Sequence, residues 1–193
     1  MRAILDSFPG SERVLSIADA GRIVGSAPRM FGKQISIALG ADRLYIGTAE
    51  RLEILTVDLE TLVIDTIALP WPEVPLSAED IALQKAVQIA ASPPNRRRGI
   101  EQDLADHPFP EVLPHCRSLR LDVEGMLWVQ DYPRASMSRV RWTVISPDGT
   151  VLAHAELPTH LEVFEIGTDY VLGRYVDPVE AILQVRMYGL TRH

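Results

Sequence analysis

The sequence predicts an all-β chain of repeated four-stranded antiparallel units, interrupted once by a helical insertion. Three observations lead there. A short unit of strand, Gly or Asp turn and strand recurs along the chain. The segment after each unit recurs too, ending in Leu-Pro in the first two copies. One long segment between two copies abandons alternating spacing for helical spacing.

Taken in order, residues 1–32 read as strands of an incomplete unit, with the strand-like run RAILDSFPGSERVLSIADAGRIVG at 2–25. The first full unit, 33–70, opens with ISIALGADRLYIG. Ile35, Ile37 and Leu39 alternate into the turn Gly40-Ala41-Asp42, and Leu44-Tyr45-Ile46 returns. LEILTVDLETLVIDTIALP comes next, with its acidic turn at Glu60-Thr61. The second unit, 117–158, has the hairpin LDVEGMLWV and then RWTVISPDGTVLAHAELP. Its Asp148-Gly149 between alternating runs is a strong hairpin signal. The third unit, 161–193, runs to Ile166, turns at Gly167-Thr168-Asp169, returns through Tyr170-Val171-Leu172 and closes with AILQVRMYGLTR.

The insertion occupies 71–114. Ser77 with Asp80 three residues on is a helix start resembling a capping box, although the box prefers Glu or Gln there. Leu83, Ala86, Val87 and Ala90 keep helical spacing until Pro93-Pro94 stop it, and a second short helix is expected over 99–106.

A four-stranded unit of about 40 residues cannot bury both of its faces alone, so neighbours must stack, as the blades of a β-propeller do. At DVEGMLWV the chain resembles the D-x-x-G-x-L-W-V blades of NHL-like and other six-bladed β-propellers from bacteria, over about 33–70, 117–158 and 161–192. The resemblance implies a partial β-propeller of about three blades with a helical insertion. A meandering β-sandwich also uses short strands; the matched strand order and Leu-Pro endings favour the propeller, with Trp128 as a core residue. Since a propeller closes with four to eight blades, two completions are open. The chain is the C-terminal part of a longer six-bladed protein, or two chains form one ring as a homodimer. The first is preferred, because a half-ring leaves open edges.

Net charge is −7, which argues against nucleic acid and anionic membranes as partners. No apolar stretch reaches the roughly 18–20 residues of a membrane span. The start lacks a signal-peptide core. As written the chain is expected in the cytoplasm, and outside the cell if its N-terminus is truncated, since full-length relatives of the resembled family are often exported. Cys116 is the single cysteine, so no internal disulfide forms.

In a propeller the insertion shares a face with the loops between second and third strands, here those after Ile46, Val129 and Leu172. These carry Glu50, Asp131 and Asp177, and His160 should join them. Turned toward the axis, the four would form an oxygen-rich pocket for a polar ligand or a divalent cation such as Ca²⁺; turned outward, they are ordinary solvated loop residues. No spacing among them makes a metal motif, and no cofactor is assigned. His115 beside Cys116 is no catalytic pair, because neighbours entering a strand point to opposite faces. His107 and His154 lack partners at metal spacing. Arg96–Arg98 reads as a solvated loop after a helix, and Arg134, Arg139 and Arg141 are candidate counter-charges for Asp131. Phosphate loops, G-x-S-x-G and H-E-x-x-H do not occur.

The preferred reading is a binding module for a protein, peptide or carbohydrate, without an evident catalytic motif. Its alternatives are a metal-dependent propeller hydrolase or lactonase, with a central cation held by Glu50, Asp131 or Asp177, and an incomplete chain with no function of its own.

Overall fold

The computed structural model describes residues 6–17, 21–105, 107–178, 180 and 182–191, and the chain in it is all-β with a small helical insertion. A separate hairpin, β1 (Arg13–Ile17) with β2 (Ile23–Pro28), comes first. The first main sheet is the meander β3 (Ser36–Leu39), β4 (Arg43–Gly47), β5 (Glu53–Asp58) and β6 (Ile64–Ala68). The insertion holds α1 (Ala78–Ala90), a 3₁₀ turn at Pro94–Arg96 and α2 (Arg97–Ala105). The middle sheet is β7 (Ser118–Leu121), β8 (Leu127–Gln130), β9 (Arg139–Ile145) and β10 (Val151–Pro158). The last is β11 (Leu161–Ile166), β12 (Tyr170–Val176) and β13 (Leu183–Gly189). Every pairing among these strands is antiparallel. The run expected to end at Leu172 continues to Val176, with each residue of β12 paired to β13.

The DVEGMLWV motif at 122–129 shows why its residue types are needed. Asp122 Oδ1 accepts from the backbone N–H groups of Glu124 (3.0 Å) and Met126 (2.8 Å), closing the turn between β7 and β8. Gly125 sits there at φ +82, a conformation that penalises any Cβ. The second oxygen, Oδ2, accepts from the Trp128 indole at 3.0 Å, so one buried carboxylate both shapes the turn and fixes the aromatic ring. A buried carboxylate is tolerated because its acceptor sites are used.

The middle sheet is covered on both sides. Leu119, Leu127, Val129 and Ile145 pack against Ala38, Tyr45, Ile54 and Ile67 of the first sheet. On its other face Trp128, Trp142, Val144 and Leu157 meet Leu161, Val163, Ile166 and Val171 of the last sheet. That two-sided burial explains why β8 is apolar at Leu127, Trp128 and Val129 in succession, where a half-exposed strand would alternate. Gly47 makes the first contact tight, because a Cβ there would lie 3.2 Å from both Cys116 Sγ and Leu119 Cδ1. The sheets also join through their first strands. Leu119 N–H donates to Ser36 Oγ (2.8 Å), and Arg120 Nε donates to Val163 O (2.9 Å).

The two-sided core gives a direct expectation. Ile145→Ala, at a position with no exposure, should lower unfolding free energy by about 2–5 kcal/mol in urea titrations. Val123→Ala, in the turn between β7 and β8 and 62% exposed, should change it by no more than about 0.5 kcal/mol.

Candidate functional site

Helix α1 begins on Ser77, whose Oγ accepts from Asp80 N–H (3.0 Å) and donates to Asp80 Oδ2 (2.7 Å). The Asp80 carboxylate therefore takes the cap's hydroxyl proton, where a capping box would return a bond to the cap's own N–H. Asp80 is the buried residue of α1. The apolar stripe read from Leu83 and Val87 is exposed on one side and lies over a groove, so this helix is held by its ends and its polar cap rather than by a buried stripe. Arg97 closes the far end, donating to the carbonyls of Ser92 (3.1 Å) and Ala90 (3.2 Å). That is how one residue of the Arg96–Arg98 run is used.

Three further contacts seat the insertion on the sheets. Arg134, in the loop after β8, lies 3.9 Å from Asp80 Oδ2. Phe31 packs against Phe109 and Tyr132, with ring centroids 6.4 and 6.1 Å apart, and the Lys85 ammonium stands 4.9 Å over Phe109. Pro75 and Val112 form an isolated bridge that ties the two roots of the insertion together. His107 joins this cluster as acceptor of the Met30 N–H (3.3 Å); burial, with Arg29 and Lys85 nearby, holds its imidazole below the ordinary range.

Two openings result on this face. A cleft of about 440 Å³ separates the insertion roots at Trp71, Leu113 and His115 from Asp131, Tyr132 and Met137 of the β8–β9 loop. A wider groove of about 640 Å³ runs between α1, at Gln84 and Val87, and Pro133, His160 and Pro178. A third opening of about 480 Å³ lies between the first strands of the three sheets, at Ser36, Arg120 and Val163. His160 lines both of the latter two.

The four residues expected to share a pocket have different immediate surroundings. Asp131 lines the cleft, bound by Arg141 Nε to Oδ2 at 2.9 Å. His160 belongs to the groove. Glu50 pairs with Lys33 at 3.7 Å. Asp177 Oδ1 accepts from Glu180 N–H at 3.0 Å, with its neighbour Pro178 on the groove wall. Among the described residues no three His, Cys, Asp or Glu side chains are grouped to hold a metal ion. Of the candidate counter-charges, Arg141 takes Asp131, Arg134 takes Asp80, and Arg139 donates to Glu156 O (3.2 Å).

The cleft's electrostatics are uneven. Asp131 Oδ1 is buried with no hydrogen-bond partner among the described residues, and burial raises this carboxyl's pKa despite Arg141. Trp142 Nε1, on the strand paired with Gln130, is likewise buried and unpartnered, and its ring borders the opening between the first strands. Burial holds His115 toward its neutral form, and its carbonyl accepts from Trp71 Nε1 at 3.3 Å. Cys116 turns the other way into the core, where burial pushes its thiol up to about 11. A thiol so protonated is a poor nucleophile. Trp71, Tyr132 and His115 carried no spacing signal, since each stands alone in an irregular segment and only the fold brings them to one cleft.

No protein-family profile matches this chain, and no curated protein is matched to it.

Two measurements check these environments. Because the folded pKa of Asp131 lies above its ordinary 3.8, the stability it confers is present below that value and lost as pH rises through the folded pKa. The stability difference between wild type and Asp131→Asn should fall as pH rises through that window, and a difference that grows would show the Arg141 pair outweighing burial. Iodoacetamide at about pH 8 should leave native Cys116 unmodified and label it fully in urea.

Proposed function

We propose that the stacked sheets are consecutive blades of a six-bladed, NHL-like β-propeller, and that the chain is a non-catalytic binding module whose ligand enters the cleft beside the insertion. Support for the blades comes from their antiparallel meanders, their face-to-face packing and the side-by-side placement of β3, β7 and β11.

The observation that carries the binding reading is the Arg134 ion pair to Asp80, at 3.9 Å. It pins a helical element over a rigid sheet while engaging one guanidinium nitrogen, so other N–H donors of Arg134 are offered to a ligand. Trp71, Leu113 and Met137 add apolar wall around it. Apolar walls with few directed polar groups are what small-ligand and side-chain sites use. The chemistry that fits is a peptide segment presenting a carboxylate to Arg134 and an apolar side chain to Trp71 and Met137.

Intrinsic fluorescence reads the cleft, because Trp128 and Trp142 are buried in the core while Trp71 borders the opening. Titration with acetylated hexapeptides should give saturable shifts for Glu-bearing sequences and none for Lys-bearing ones. Met137→Glu, which sets a carboxylate on the wall, should weaken binding about tenfold or more, equivalent to roughly 1.4 kcal/mol. Absence of saturation, or affinity unchanged by Met137→Glu, would remove the reading.

A further inference from the structure

The middle sheet buries two apolar faces, whereas the first and last sheets bury one each. Their outer faces also carry exposed apolar residues. On the first sheet Ile37, Leu39 and Ile64 point away from the core, and Leu39 is 67% exposed. On the last sheet Phe164, Leu183, Val185 and Met187 do so. The Leu172–Met187 and Trp128–Val144 pairs show how alike these surfaces are: counted from the equivalent turn bonds Gly167 N–H to Tyr170 O and Asp122 N–H to Met126 O, each couples the second residue of the returning strand to the third strand. The open face of the first sheet, with Ile37 and Leu39, corresponds to the middle-sheet face that holds Leu119, Leu127 and Val129. The open face of the last sheet, with Leu172 and Met187, corresponds to the one that holds Trp128 and Val144. Within the chain, each of these face types is covered by the other.

The order of strands points the same way. β10, the outermost strand of the middle sheet, leads through Thr159 and His160 into β11, the first strand of the next. By that rule the strand preceding β3 belongs at the outer edge of the sheet before it. That strand is β2, which among the described residues pairs with β1 alone. The last sheet, meanwhile, ends on β13 with three described strands where the other two main sheets have four. A bare strand edge is a template for pairing with another chain.

We propose that a second copy of this chain covers both open faces, the last sheet of each copy packing on the first sheet of the other, with β2 of one lying along β13 of its partner. The contact is heterologous and occurs twice, so a twofold rotation closes it into a ring of six sheets and no further copy can join. This rests on the blade reading above, and it continues outward the two interfaces that the middle sheet already makes. Charged side chains on the two outer sheets are matched within them, Arg174 with Glu162 on the last and Arg51 with Glu53 on the first.

Light scattering after size exclusion tests it with the full chain. Wild type should give a single species at twice 21.5 kDa. Val185→Asp and Leu39→Asp alter positions that are exposed in the single chain, so both should keep the wild-type circular dichroism while becoming monomers. Mixed together they should recover a dimer, since one of the two contacts is then free of either substitution. A wild-type monomer overturns the proposal, as does any species larger than a dimer. A Leu39→Asp variant that stays dimeric overturns it as well, by showing that last sheets pair with each other. A monomer that still binds Glu-bearing peptides would sink the ring and leave the binding reading standing.

Discussion

A sheet with two apolar faces has to be covered twice, and the middle sheet imposes that requirement on everything around it. Its strands β8 and β9 carry buried residues on both sides. A single cover would leave either the Leu127–Ile145 side or the Trp128–Trp142 side in water. At about 25 cal/mol per Å² of apolar surface, losing either side would remove much of a domain's modest net stability. The neighbouring sheets are therefore fixed in position by the middle one, and their first strands are drawn side by side. The Asp122 turn serves the same end locally, because the carboxylate that closes it also holds Trp128 against the last sheet.

The insertion depends on that scaffold, and its longer helix α1 returns little apolar burial to it. Leu83 and Val87 stay exposed, Val87 over the groove. Attachment runs instead through a charged pair, an aromatic cluster and one bridge at the roots. An element fastened in this way is drawn from the less stable end of a structure and can shift without disturbing the core. That combination, a rigid floor and a lightly fastened roof, is what places Arg134 and Trp71 across from each other.

Much of the fold is legible in the residues. Alternation at Ile37 and Leu39, the Asp148-Gly149 hairpin and the Ser77 helix start all express local rules, and each element lies where those rules put it. The continuation of β12 to Val176 was less legible, because Gly173 and Arg174 break the apolar alternation and only pairing with β13 extends the strand. The site was barely legible. Glu50, Asp131, His160 and Asp177 share loop positions in the repeat, yet each side chain answers to a different neighbour: Lys33, Arg141, the groove and Glu180. Repeat position sets where a loop begins; it does not set which way its side chains turn. Trp71 and His115 lie in the insertion roots, outside any repeat, and tertiary packing alone brings them to Asp131.

If the middle sheet is the cooperative centre on which both neighbours depend, residue-resolved native-state hydrogen exchange will show it most directly. The slowest amides should lie in β8 and β9, opening only with global unfolding. Those of β4 and β12 should exchange in the same cooperative event, while α1 exchanges earlier by local opening. Exchange of the last sheet as a separate early unit, with β8 and β9 still protected, would contradict this: the middle sheet would then not need its second cover.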